Sequence, residues 1–184
     1  MRVLAISGSL RAASINSALL RATARLAPRG IEVRVYPEIR ALPLFNPDLE
    51  AKVPFEVSSL REAVAAADAL IFASPEYAHG VTGVIKNTLD WLVSLEPFAY
   101  KPVAIFSASP RSQYADPALR ETLQTMSASI VNEACFSSQL VGAKMSEDDM
   151  VLSPSISAGI RAALGALKDF RAGEYPKNAS FPLR

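Results

Sequence analysis

Short, unbroken apolar runs alternate along this chain with longer stretches whose apolar residues recur at helical spacing. That is the pattern of a parallel sheet buried between two layers of helices. Val3 to Ile6 (VLAI) is too uniformly apolar for a strand with one wet face, so Arg2–Ser7 is predicted as a fully covered first strand. A helix from about Ser14 to Ala27 follows, stopped by Pro28-Arg29-Gly30. Ile31–Val35 (IEVRV) alternates, as a strand near a sheet edge does. Residues 37–54 contain Pro43 and Pro47 and show no clear period, which predicts a long surface loop of a kind often tied to function. Ser58 or Ser59 is the expected cap of a helix through Leu60, Ala63, Val64 and Ala67. Strands at Ala69–Ser74 and Val103–Ser107 flank a helix from Val81 or Gly83 to Leu95. A helix from about Pro117 to Ile130, a fifth strand near Phe136–Val141 and a last helix over Pro154–Phe170 complete the pattern.

Five strands joined by helical crossovers are expected to wind doubly. The right-handed crossover rule and a switch point beside the first strand favour the order 2-1-3-4-5. The loops after strands one and three then flank one crevice, where the chemistry is expected. No internal repeat or domain boundary interrupts the pattern, so residues 1–173 are expected to form a single α/β domain followed by a tail at 174–184.

Composition narrows the classes of function. The chain has 184 residues and a formal net charge of +1, so no global field draws it to nucleic acid or to an anionic membrane. No apolar run reaches the roughly 20 residues that span a bilayer, and the first strand is too short for a secretory signal, which makes the cytoplasm the expected location. A single cysteine, Cys135, excludes an intramolecular disulfide and a thiolate metal cluster; its apolar neighbours favour a core position. His79 is the only histidine, so a metal site of several imidazoles is excluded too, and no metal is expected.

Two loops carry the candidate chemistry. Ser7-Gly8-Ser9-Leu10-Arg11-Ala12-Ala13-Ser14-Ile15-Asn16 joins the first strand to the first helix. It can offer main-chain N–H groups, three hydroxyls, an amide and a guanidinium at the positive end of a helix, a set suited to a phosphate monoester. Neither GxxxxGK[ST] nor GxGxxG is present, which disfavours a nucleoside triphosphate or a dinucleotide there. The plainer reading is a serine-rich turn in which Ser14 simply caps the helix. The second loop, Ser74-Pro75-Glu76-Tyr77-Ala78-His79-Gly80, can present main-chain N–H groups and the face of Tyr77 to a flat heterocycle. His79 is either a solvated or ligand-facing side chain or a proton donor, and Glu76 either a solvated or helix-end charge or a base. No nucleophile–base–acid set is present, so no catalytic side chain is assigned.

Gly8-Ser9-Leu10-Arg11 with Ser14 and Asn16, then Ser74-Pro75-Glu76-Tyr77, then Gly83-Val84-Ile85-Lys86-Asn87-Thr88-Leu89-Asp90-Trp91 resemble the NAD(P)H-dependent FMN reductases, which include chromate, quinone and azo-dye reductases. The resemblance is close over roughly the first 110 residues. It implies a flavodoxin-like three-layer sandwich and FMN, with NADPH or NADH as electron donor and a small molecule such as a quinone as acceptor. Ser9, Arg11, Ser14, Ile15 and Asn16 would hold the phosphate. Pro75, Glu76, Tyr77, Ala78, His79, Gly80 and Ser107 would line the isoalloxazine. It also implies a homodimer or homotetramer packed through the helix bearing Trp91, where the plainer reading of that residue is core or interface packing. Two departures stand out: Ala78 where the family has asparagine, and Ser107-Ala108-Ser109-Pro110 where it has a glycine-rich loop. They predict weakened contacts to the ring and loosely held FMN. The competing functions are a flavin-binding electron carrier or redox sensor, and a scaffold adapted to another ligand.

Overall fold

The computed structural model describes residues 1–110, 112–143 and 145–172. The expected tail at 174–184, and residue 173 before it, lie outside the described residues. In chain order the elements are β1 (Arg2–Ser7), α1 (Ile15–Leu26), β2 (Glu32–Val35), α2 (Phe55–Ala66), β3 (Ala69–Ala73), α3 (Gly83–Leu92), β4 (Pro102–Ser107), α4 (Ala115–Thr125), β5 (Ser129–Ile130), β6 (Phe136–Ser137), α5 (Glu147–Leu152) and α6 (Pro154–Ala172). The sheet is parallel, with the order β2-β1-β3-β4-β5, as the crossover rule predicts.

Side chains alternate across the strands, and the two sets build two cores. Val3, Ala5, Ile71, Ala73 and Phe106 face α1 and α6, among Leu19, Ile160 and Leu164. Leu4, Ile6, Leu70, Phe72 and Ile105 face the other layer, among Leu60 of α2, Leu89 of α3 and Leu123 of α4. Burial on both faces is why these strands read as continuous apolar runs.

Four expectations are corrected. The fifth strand is not one segment at Phe136–Val141: β5 and β6 both pair with β4, Val103 with Ile130 and Phe106 with Phe136, and a 3-10 turn at Asn132–Ala134 separates them. Ser129 and Ile130, expected at a helix end, are therefore strand. α2 begins at Phe55, with Pro54 at its N-cap and no side-chain capping bond, so Ser58 and Ser59 lie inside it. The stretch before α6 holds a further helix, α5, opened by a capping box between Ser146 and Asp149.

The fourth concerns the long loop and Trp91. The loop folds into two 3-10 turns, Ile39–Ala41 and Pro47–Lys52. It is tied to α3, because Asn87 Nδ2 and Trp91 Nε1 both donate to the Pro43 carbonyl, at 2.9 and 2.8 Å. Asn87 Oδ1 accepts the Phe45 N–H at 2.7 Å, and the Phe45 ring meets Trp91 edge-on at 5.0 Å. Trp91 is fully buried within this chain, so its ring anchors the loop and is not a surface for another subunit. Among the described residues no helix is long and apolar enough to cross a membrane.

Candidate functional site

β1 and β3 lie side by side with Ser7 opposite Ala73, so the loops that leave them emerge at one level. Gly8 welds the two. Its N–H donates to the Ala73 carbonyl at 2.7 Å, and its own carbonyl accepts the Thr82 hydroxyl at 2.8 Å. A Cβ on Gly8 would lie 2.4 Å from Ser74 Oγ and 2.7 Å from Ile85 Cγ1, so only glycine fits without a shift. What Gly8 approaches is the neighbouring loop.

Beside the weld opens a cavity of about 660 Å³. Ser9, Arg11, Ser14, Ile15 and Asn16 line one part of it; Pro75, Glu76, Tyr77 and Ser107 line another. Ala78, His79 and Gly80 stand outside the lining. Sequence reasoning passed over Ala13, Ser74, Ala108, Ser109 and Ser112 as wall residues, and also Val141 and Met145, which reach the cavity from the segment after β6. The serines belong to loops already singled out. Nothing in the local pattern marks Val141 or Met145, which arrive through tertiary folding.

The β1–α1 loop is braced from within. Ser7 Oγ meets Ser17 Oγ at 2.8 Å and accepts the Ser9 N–H at 3.3 Å. Ser9 Oγ accepts the Arg11 N–H, and Ser14 Oγ caps the Ser17 N–H. Ser14 is therefore an N-cap, as the plainer reading had it, and it is also a wall of the cavity. The hydroxyls of Ser9 and Ser14 act as acceptors in these bonds, which leaves their hydrogens to donate. The N–H groups of Ile15 and Asn16, first in α1, have no carbonyl inside the helix to bond. Asn16 is 4% exposed and its Oδ1 has no partner among the described residues. A buried amide oxygen without a partner costs about 1–3 kcal/mol. With the Arg11 guanidinium, this donor set fits a phosphate monoester at a helix N-terminus.

Across the cavity, Tyr77 and Gly80 exchange main-chain hydrogen bonds at 3.3 and 3.0 Å around Ala78 and His79, whose φ angles are 48° and 58°. Two consecutive positive φ values make a type I′ turn. One oxygen of the Glu76 carboxylate accepts the N–H groups of Ala115 and Tyr114, both at 2.9 Å, and the Ser112 hydroxyl at 3.3 Å. Those two main-chain donors hold it below the usual carboxylate range, Ala115 first. His79 stacks on Tyr114, ring centres 4.2 Å apart. Ser107 Oγ donates to the Ser109 carbonyl at 2.6 Å, closing a compact turn in place of a glycine-rich loop.

A doubly wound parallel sheet with a donor-rich cleft at its switch point defines a flavodoxin-like protein. The model of the family "NADPH-dependent FMN reductase" matches residues 1–141. An NAD(P)H-dependent FMN reductase of Pseudomonas aeruginosa is 43% identical over 132 residues, 67% of this chain and 69% of the relative. A quinone reductase of Escherichia coli K12 is 34% identical over 146 residues, 74% and 76% of the two chains. Among solved structures, FerB, a flavoenzyme NAD(P)H:(acceptor) oxidoreductase of Paracoccus denitrificans, superposes with a TM-score of 0.82 at 25% identity, covering 93% of this chain and 97% of that one. The chain belongs to the NADPH-dependent FMN reductase family.

Proposed function

We propose that the cavity is the FMN site of an NAD(P)H-dependent oxidoreductase that reduces quinones or similar small acceptors. The observation that carries this reading is the donor set of the β1–α1 loop, buried at Ser9, Ser14 and Asn16 and exposed at Arg11, which lines one part of the cavity. Ser9, Arg11, Ser14 and Asn16, with the first N–H groups of α1, would grip the phosphate. The main chain of Pro75–Tyr77 and the turn at Ser107–Ser109 would bracket the ring. FMN, when bound, supplies the hydride-accepting and electron-passing chemistry. The chain's part is to hold the ring flat and to admit a nicotinamide and then an acceptor to one open face. Homologue names support both donor and acceptor class. Assembly as a homodimer or homotetramer in the cytoplasm completes the proposal.

Calorimetric titration of the apoprotein with FMN, FAD and riboflavin tests it. FMN is expected to bind tightest, since the loop encloses a single terminal phosphate. Equal affinity for riboflavin would remove the phosphate role, and no binding at millimolar FMN would sink the flavoenzyme reading.

A further inference from the structure

Residues of the loop after β3 and of the loop after β4 line the same part of the cavity. Their roots are fixed, because β3 and β4 are paired neighbours in the sheet. Their tips are not fixed by the sheet: β4 ends at Ser107 and α4 begins only at Ala115. Glu76 spans that gap. Its Oε2 gathers the Ser112 hydroxyl and the N–H groups of Tyr114 and Ala115. α4 needs these bonds, since Tyr114 at its N-cap makes no side-chain capping bond of its own. The opening of α4 is thus capped from a different loop, 38 residues earlier in the chain. A second strap, the His79–Tyr114 ring stack, joins the same two segments.

We infer that Glu76 is a positioning residue: it fixes the separation of the two loops and so sets the width of the slot in which the flavin ring lies. This inference rests on the reading of the cavity as an FMN site. Glu76 acts through others, through the main chain of Pro75–Tyr77 on one wall and Ser112 on the other, all of which line the cavity. Slot width matters because a gap of about 0.5–1 Å at a flat contact forfeits roughly a quarter to a half of the dispersion attraction there. The carboxylate's reach is what counts. For the separation of the loops the charge is secondary, because all three bonds converge on one oxygen and an amide oxygen of the same reach can accept them, each more weakly.

Glu76→Gln and Glu76→Asp separate reach from charge, with Glu76→Ala beside them. The readouts are the dissociation constants of FMN and riboflavin from flavin fluorescence, and the exchange rates of the Tyr114 and Ala115 amide hydrogens in the apoprotein. Glu76→Gln, which keeps reach and loses charge, is expected to stay within about threefold of the wild type. Glu76→Asp and Glu76→Ala are expected to weaken both flavins by the same factor, about tenfold, and to speed exchange at Tyr114 and Ala115. A parallel loss for both flavins marks the ring half; Arg11→Ala, acting on the phosphate, should weaken FMN alone. If Glu76→Asp binds like the wild type while Glu76→Gln does not, charge governs and the inference is overturned. Unchanged flavin affinity in all three variants overturns it as well. If Glu76→Ala fails to fold, the Asp and Gln variants carry the decision. A wild type that binds neither flavin defeats the FMN reading itself, a result distinct from any of these.

Discussion

Ala78 and His79, with φ of 48° and 58°, occupy a backbone region that costs an ordinary residue about 1–2 kcal/mol and that asparagine and glycine tolerate. Residue 78, where the family resemblance implies asparagine, does not line the cavity, so an asparagine there would act on the turn. Ala78→Asn and Ala78→Gly are both expected to raise stability by about 0.5–1 kcal/mol in urea denaturation. Both should tighten FMN to the same small extent; tightening by Ala78→Asn alone would restore a direct side-chain contact. Arg11 is exposed, so Arg11→Ala should lower FMN affinity about 10- to 100-fold while leaving the apoprotein's melting temperature unchanged. The β1–α1 part of the cavity lining was legible because Ser9, Ser14 and Asn16 gather within a few positions of one helix start. The role of Glu76 was not, because its partners lie 38 and 39 residues away.

At the level of elements, α3 and the long loop after β2 form one unit through Asn87 and Trp91. Trp91→Phe removes one bond to the Pro43 carbonyl, which Asn87 still satisfies, so a loss of about 1 kcal/mol is expected in urea denaturation. Asn87→Ala removes two bonds and strips the Phe45 N–H of its acceptor, and about 2–3 kcal/mol is expected. Gly8→Ala drives a methyl into Ser74 and Ile85 and should cost about 1–3 kcal/mol or more by the same measurement. The long buried strands and α1 were readable because their period persists over enough residues. β5 and β6 have 2 residues each, too few to show a period. α5 announced itself in Ser146 and Asp149, three apart, but its 6 residues hid the helical repeat. The start of α2 was obscured because Pro54 gives no side-chain capping signal and Phe55 stands exposed.

Across the whole molecule, strand order was legible because crossover handedness leaves few alternatives, whereas the rim of the cavity depends on segments that meet only when the sheet is complete. Several carboxylates are held below their ordinary range: Glu147 by Arg21 and Arg25, Glu50 chiefly by Arg61, Asp149 by Ser146, and Glu76 by the start of α4. A carboxylate depressed in the folded state stabilises fully above its unfolded pKa, about 4, and that stabilisation is lost as pH falls through the folded value. The urea midpoint should therefore stay level between about pH 5.5 and 8 and decline below about pH 4.5. A midpoint that rises on acidification would contradict these assignments. The broken outer strand has a further consequence for how the protein behaves when crowded. A long, flat sheet margin is a template onto which a foreign strand can zip, the first step toward fibrils and precipitates. Here that margin consists of two 2-residue pieces set apart by the turn at Asn132–Ala134, and the opposite margin, β2, runs for only 4 residues. An incoming strand finds few successive rungs on either side, so the fold carries its own safeguard against growing by accretion.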